Sequence, residues 1–341
     1  MVASPRTGRS APTLMDVAQL AGTSRATASR AINGGTRVSA EALEKVNAAV
    51  REIGYRPNLA ARSLVTRRTD SIAVVIPESD ERLFTDPFFA TVLHGVTTAL
   101  SDTDLQIVLL IGRRGERSAK ILTYLRSGHT DGAIVVSHHQ GDGVAELLAT
   151  IDLPSVLIGR PFSPATAVTY VDVDNRAGGA LAAEHLLARG ARRPATVAGP
   201  ADMGAAVDRL DGWRGVVAAA GLATDAVVET DWTAADGARA MERLLAAHPD
   251  LDGVFIASDL MAAAALPVLE RHGRRVPEDV AVVGFGSFEL AAQTRPPLTS
   301  VVNPAAEMAR RAVGMLIAQL AGTGGTESVV LPTSLVPRAS A

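Results

Sequence analysis

The sequence predicts an all-α helix-turn-helix head joined to a larger α/β body of two lobes, each with a doubly wound parallel sheet. Three observations carry that prediction. Between Thr13 and Ile53 lie three short runs of helical periodicity separated by tight breaks. From Ser71 onward, apolar runs alternate with helical stretches. Charge divides near the same boundary: up to Arg68, ten Arg and Lys45 face Asp16, Glu41, Glu44 and Glu52, a net of about +7. The whole chain is −3, so the remainder carries about −10. A basic head on an acidic body is the pattern of a DNA-binding module fused to a domain that does not touch DNA.

Taken in order, residues 1–12 are rich in Ser, Pro, Arg and Gly and read as a disordered basic arm. Thr13 can cap a first helix, with Asp16 as the returning acid of a capping box. Leu14, Val17, Ala18 and Ala21 share one face at i, i+3, i+4, i+7. Gly22 gives the backbone freedom of a sharp turn, and Ser24 caps a second helix, Arg25 to Ala31, with Arg25, Ala26, Ser29 and Arg30 exposed. A third helix carries Leu43, Val46, Val50 and Ile53. Three such helices could form a plain bundle, but the charge favours the geometry that lays a helix in a major groove. Pro57 forces Arg56 out of helical conformation. Asn58 then caps Leu59 to Val65, a segment too short to be a stable helix alone. The expected divisions are 13–57 for the head, 58–70 for hinge and linker, and 71–341 for the body.

In the body, buried strands are expected at 72–76, 106–111, 132–136, 155–158, 168–171, 195–197, 226–229, 253–257 and 280–284. Helices are expected at 88–100, 118–127, 177–188, 206–219, 237–247, 261–271 and 305–321. Repeated β–α–β units with continuous apolar strands call for parallel sheets covered on both faces, and nine strands fit two lobes better than one sheet. Hydrophobic residues make up 47% of the chain, enough for that core. There is no Cys, which excludes disulfides and cysteine zinc sites. No apolar segment follows Arg6 and Arg9 as in a signal peptide, and no apolar run reaches the ~18 residues of a membrane helix. The expectation is a cytoplasmic protein with no membrane partner.

Residues 13 to 68, with G-Y-R-P-N at Gly54–Asn58 and A-R-S-L at Ala61–Leu64, closely resemble the DNA-binding head of LacI-family transcriptional regulators. The resemblance extends to that family's periplasmic-binding-protein-like body. Its markers are D-P-F-F at Asp86–Phe89, V-D-V-D-N at Val171–Asn175, E-H-L at Glu184–Leu186, R-L-D-G-W at Arg209–Trp213, A-S-D-L-M at Ala257–Met261 and P-P-L-T-S-V at Pro296–Val301. It implies three crossings between lobes, near Asp172, Val301 and Leu331–Pro332. Lobe 1 would then hold about 71–172 and 302–331, and lobe 2 about 173–301 and 332–341. No heptad-repeat tail follows, so a homodimer is expected rather than a tetramer.

On the DNA side, the resemblance places Arg25 and Ala26 at base-reading positions. Arg25 could grip guanine O6 and N7, Ala26 could meet a thymine methyl, and Arg30 lies a turn later. Ser24, Thr27, Ser29 and Asn33 suit phosphates, which set register without reading sequence. Thr13, Tyr55, Asn58, Ala61 and Arg62 complete the expected contacts with double-stranded operator DNA. Leu64 is either a staple to the body or a minor-groove wedge; the resemblance favours the wedge.

For a small-molecule effector, the resemblance points to Asp86, Phe88 and Phe89 at the first helix, Arg160, Arg209, Trp232, Ser258, Asp259 and Asn303. The chain also departs from its relatives. Gly159 stands where Asp is usual, Gly286-Ser287 replace an Asp-Asp pair, and Ser258 replaces Asn. Gly159-Arg160-Pro161, Ser258-Asp259 and Asp86 resemble the actinobacterial cellobiose-responsive branch of the family. Fewer acceptors and more room suit an extended neutral sugar, a β-linked glucose disaccharide or longer.

No enzyme constellation appears. Gly284-x-Gly286 lacks the third glycine of a dinucleotide fingerprint, Ser287 sits in no G-x-S-x-G elbow, and no cofactor or metal is implied. His138-His139 reads as ordinary surface in an exposed Gly-rich loop. The function expected is a repressor of carbohydrate-utilisation genes, released from a palindromic operator by a sugar. A regulator with a degenerate or non-sugar cleft, and a periplasmic-type sugar-binding protein, are the alternatives.

Overall fold

The structure is a computed structural model that describes residues 12–32, 38–56, 68–112, 116–164, 166–325 and 327–341. The basic arm up to residue 11, Asn33, and the hinge with Asn58, Ala61, Arg62 and Leu64 lie outside the described residues. The chain forms two compact units, Met1–Thr69 and Asp70–Ala341.

The head consists of α1 (Leu14–Leu20), α2 (Arg25–Ile32) and α3 (Ala40–Ile53). Thr13 and Asp16 form the capping box: the Thr13 N–H donates to Asp16 Oδ2 at 2.7 Å, and the Asp16 N–H returns to Thr13 Oγ1 at 3.4 Å. Ser24 starts α2 by accepting from the Thr27 N–H at 3.1 Å. Gly54 ends α3 at φ 66°, a left-handed conformation that glycine adopts without strain. Val17, Ala18, Ala21, Ala28, Ala31, Val46 and Ala49 form a core of mostly small side chains, with Tyr55 packed at its edge. Leu43 departs from expectation and is 40% exposed. The inward stripe of α3 runs through Val46, Ala49, Val50 and Ile53, and Leu43 lies to one side of it.

The body begins with β1 (Ser71–Ile76), α4 (Asp80–Thr85), α5 (Pro87–Ala99), β2 (Gln106–Ile111), α6 (Glu116–Arg126), β3 (Gly132–Val136), α7 (Val144–Leu148), β4 (Ser155–Ile158) and β5 (Tyr170–Val173). It continues with α8 (Asn175–Ala188), β6 (Pro194–Ala198), α9 (Gly204–Ala219), β7 (Val227–Glu229), α10 (Ala234–Ala247), β8 (Gly253–Ile256), α11 (Asp259–Arg271), β9 (Ala281–Gly286), α12 (Glu289–Gln293) and β10 (Thr299–Val302). The last elements are α13 (Ala305–Leu320), β11 (Val329–Leu331) and β12 (Leu335–Val336).

Two six-stranded sheets result, ordered β11-β5-β4-β3-β1-β2 and β12-β10-β9-β8-β6-β7. Every pairing is parallel except β10 with β12. The chain passes from the first sheet to the second after β5, returns after β10, where α13 packs on α5, and passes over again between β11 and β12. Central strands β1, β3, β4, β8 and β9 are buried along their whole length, as their unbroken apolar runs require.

Strand β2 corrects the expectation of a buried strand: it is the edge of its sheet, and Leu109 is 40% exposed. An apolar run reveals a strand but not its place in the sheet. The short elements α4, α7, α12 and β10 to β12 escaped sequence reading because two to six residues establish no period.

Candidate functional site

Parallel sheets present ligand sites at the carboxyl ends of their strands, and in this body both sheets turn those ends toward one cleft. Its cavity volume is about 90 Å³. Lobe 1 lines it with Arg82 and Asp86 beyond β1, His138 beyond β3, Gly159 and Arg160 beyond β4, and Asp172 in β5. Lobe 2 brings Met203 at the start of α9, Arg209 within it, Trp232 beyond β7, Ser258 beyond β8 and the rings of Phe285 and Phe288. Asn175 and Asn303 sit where the chain crosses between sheets.

Arg209 organises the floor. Its Nε donates to Asn175 Oδ1 at 2.8 Å and its Nη1 to the Ala257 carbonyl at 2.7 Å. The guanidinium lies 3.5 Å from the centroid of the Phe285 ring and 5.4 Å from that of Trp232. Burial lowers its pKa to about 9, opposed by the nearby carboxylates Asp172 and Asp86. Asp172 accepts from the N–H groups of Arg160 at 3.0 Å and Val173 at 2.8 Å and from Asn175 Nδ2 at 3.0 Å. Burial nevertheless pushes its carboxyl up to about 6. Asp86 caps α5 by accepting from the Phe88 N–H at 3.0 Å, and burial raises it too.

Trp232 is 4% exposed, its Nε1 donating to Met203 Sδ at 2.9 Å. The ring lies so close on Gly199 that a Cβ there would overlap it. Asn303 lines the wall, with its Oδ1 buried and without a hydrogen-bond partner among the described residues.

The lobes meet across the mouth. Arg160 forks onto Asp208 of α9, with Nη2 to Oδ1 at 2.9 Å. His139 places Nδ1 at 2.8 Å from Asp202 in lobe 2 and Nε2 at 3.0 Å from Glu78 in lobe 1. Glu78 also accepts from Ser137 Oγ at 2.7 Å and pairs with Arg82. Burial pushes the Glu78 carboxyl up, but Arg82 and His139 outweigh it and hold the group below its ordinary value. Next to it, His138 is 5% exposed and lies 3.1 Å from the Gly159 carbonyl through Nε2, and burial lowers its pKa. The expectation that His138-His139 are ordinary surface is therefore corrected: both are packed at the cleft, because the loop after β3 ends at the junction of the lobes.

Of the effector residues expected from sequence, Asp86, Phe88, Arg160, Arg209, Trp232, Ser258 and Asn303 reach the wall. Phe89 and Asp259 do not. Phe89 is fully buried in the lobe core, packed edge-on to Phe88 at 5.3 Å. Asp259 is turned inward, accepting from Ser300 Oγ at 2.6 Å and from the Phe288 N–H at 3.3 Å, and burial pushes it up to about 6. The two glycine departures have backbone reasons. Gly159 has φ 102°, and Gly286 has φ 139° with Asp259 Oδ2 only 2.8 Å from where a Cβ would stand. An Asp at either position would be strained.

Sequence reading missed Arg82, His138, Asp172, Asn175, Met203 and Phe285 as wall residues. Asp172 and Asn175 had a usable signal, polar residues at the carboxyl end of an apolar strand run. Arg82 had none, because α4 is too short to show a face.

In the head, Arg25, Ala26 and Arg30 are exposed along α2, with Thr27 and Ser29 half-buried beside them. Two cations and no acid on one exposed helix match the electrostatic footprint of a groove reader.

A basic helix-turn-helix unit followed by a two-lobed body with a desolvated cleft defines a ligand-responsive DNA-binding regulator. The family model described as bacterial regulatory proteins, lacI family, matches residues 13–58, and the periplasmic binding protein-like domain matches residues 183–341. The chain belongs to the LacI family of bacterial regulatory proteins. It is 45% identical over 336 residues to the HTH-type transcriptional regulator CelR of Thermobifida fusca, covering 97% of this chain and 99% of that protein. It is 32% identical to the ribose operon repressor of Halalkalibacterium halodurans over 96% of both. Among solved structures, a CelR–cellobiose complex matches at TM-score 0.78 and 43% identity over 97% of this chain and all of that one. The Lac repressor dimer bound to operator and the anti-inducer ONPF matches at TM-score 0.85 and 26% identity over 97% and 99%. No described helix is long and apolar enough to cross a membrane.

Proposed function

We propose that this chain is a sugar-responsive transcriptional repressor whose homodimer holds a palindromic operator and releases it when cellobiose, or a related β-linked glucose oligosaccharide, fills the cleft. The observation that carries the reading is the cleft wall. Buried acceptors (Asp86, Asp172, Asn303), a guanidinium on the floor (Arg209) and an indole (Trp232) suit a ligand with many hydroxyls and an apolar ring face. The similarity to CelR and to a CelR–cellobiose complex supports that ligand class. A cleft lined this way speaks against the degenerate-cleft alternative.

The DNA side follows from the head. Two copies present two α2 helices to an inverted repeat, with Arg25 and Arg30 at base edges and Ser24, Thr27 and Ser29 at phosphates. Effector binding acts by favouring the released state of the dimer over the operator-bound one, so affinity for sugar and for DNA must oppose each other. The test is a titration of the chain on labelled inverted-repeat DNA with cellobiose, read by anisotropy, alongside tryptophan fluorescence of the free chain. Release and a saturable fluorescence change are expected. If no oligosaccharide moves either signal, the sugar reading fails.

A further inference from the structure

At the junction of the lobes, one imidazole stands between two carboxylates. His139, in the loop after β3, places Nε2 3.0 Å from Glu78 Oε1 in its own lobe and Nδ1 2.8 Å from Asp202 Oδ1 in the other. A neutral imidazole has a single N–H, so it can donate to one of these oxygens and must turn a lone pair on the other. The imidazolium has two N–H groups and donates to both, in charge-assisted bonds. The bridge between the lobes is complete only when the ring carries the proton.

The backbone holds the ring in place. Asp142 Oδ2 accepts the His139 N–H at 2.8 Å, and the next residue, Gln140, donates its N–H across the lobes to the Asp202 carbonyl at 2.8 Å. The His139 side chain is 11% exposed and borders a second cavity, of about 590 Å³, so protons can reach it. The titratable and charged groups around it come from both lobes. Glu78 and Asp202 bond the ring, Asp142 holds its backbone, and Asp231 lines the same cavity. Arg82 is the cation there and is paired with Glu78, while His138 precedes it in the loop.

We infer that His139, Glu78 and Asp202 form a proton-dependent clasp that holds the two lobes together and gates entry of the effector. Parting the lobes takes Asp202 away and leaves the ring only Glu78 to bond, which a neutral imidazole does with its single N–H. The clasped state therefore holds the proton more tightly than the parted one. By linkage, falling pH favours clasped lobes and rising pH releases them, over the neutral range in which histidine changes charge. With the clasp shut the cleft holds about 90 Å³, room for a handful of waters, so a disaccharide enters only when the lobes part. The gating of entry rests on the sugar reading above; the clasp itself does not.

The test compares the wild-type chain with His139→Gln, which has no charge to lose, and Asp202→Asn, which offers a donor to the bare nitrogen of a neutral ring. The first readout needs no sugar. It is hydrogen exchange at the Gln140 amide, the donor of the lobe-crossing backbone bond, expressed as protection over the intrinsic rate at each pH. Protection in wild type should rise at least about threefold from roughly pH 8 to pH 6 and stay level in both variants. The second is the rate of cellobiose association, followed by tryptophan fluorescence in stopped flow. Between roughly pH 6 and pH 8 that rate should rise at least about threefold more in wild type than in either variant. The difference is the measure, because the cleft carboxyls of Asp86 and Asp172 are themselves shifted by burial. Asp202→Asn preserves the test if His139→Gln fails to fold. The clasp is overturned if the folded variants reproduce the wild-type dependence of protection on pH, and the gate is overturned if association keeps one pH profile in all three chains. If cellobiose does not bind wild type at any pH, the sugar reading and the gate fall together, and the protection profile still decides the clasp.

Discussion

The head and the cleft handle charge in opposite ways. In the head, Arg25 and Arg30 stand exposed on one eight-residue helix, beside a core of mostly alanines and valines. In the cleft, Arg82, Arg209, Asp86 and Asp172 are desolvated and carried to one place by elements of both lobes. An exposed cation stays available to any phosphate and is screened by salt. A buried one is fixed by its partners, its ionisation depends on them, and removing it disturbs the lobe that holds it. Operator affinity should therefore fall steeply with salt, while effector affinity should respond to side-chain geometry and pH.

The largest effect is expected from Arg209→Ala. It strands Asn175 Oδ1 and the Ala257 carbonyl and takes away the cation beside Asp172 and Asp86. Breaking such a buried arrangement should cost about 3–5 kcal/mol in urea unfolding of the body. A cost below about 1 kcal/mol would show that the cleft charges do not depend on this residue.

Trp232→Ala comes next. A buried aromatic anchor at a binding site is worth roughly 2–4 kcal/mol, so operator release should need on the order of a hundredfold more sugar. DNA affinity without sugar should hold. An unchanged release curve would move the ligand away from the indole.

Asp259→Asn separates the two buried carboxylates. Burial raises Asp259 to about 6 from its ordinary value of 3.8, so its contribution is fully present at low pH and is lost as pH rises through about 6. The stability of wild type relative to the variant should fall by up to about 3 kcal/mol between roughly pH 4 and pH 7. Sugar affinity should stay unchanged, because Asp259 bonds Ser300 and lies outside the cleft wall. Weakened sugar binding would return Asp259 to the site.

The head gives the smallest effect. Arg25→Ala should relax preference at one base pair per half-site by roughly 1–3 kcal/mol, read by competition between operators differing at that pair. An equal loss on every sequence would make Arg25 a phosphate contact and weaken the contrast with the cleft, since neither side would then depend on geometry.

The same contrast governs what could be read in advance. Thr13 with Asp16, Ser24 and Gly54 are local signals, and the helices began and ended where those residues place them. Long apolar runs gave the strands, with β2, β3 and β4 bounded as expected. Asp259 and Phe89 misled because a residue within a motif can face either side of its backbone. The motif fixes its position along the chain, while packing fixes the direction of its side chain.

The sequence by itself determined the all-α head, the alternation of strands and helices and the division of charge, because caps, periodicity and composition act over a few residues. Only the tertiary structure decided that Arg82 stands 4.0 Å from Asp86, that His139 joins Glu78 to Asp202, and that Asp172 rather than Asp259 faces the cleft. These relations join residues up to 63 positions apart. Desolvation, which sets the chemistry of the cleft, exists only once the two lobes have excluded water from between them.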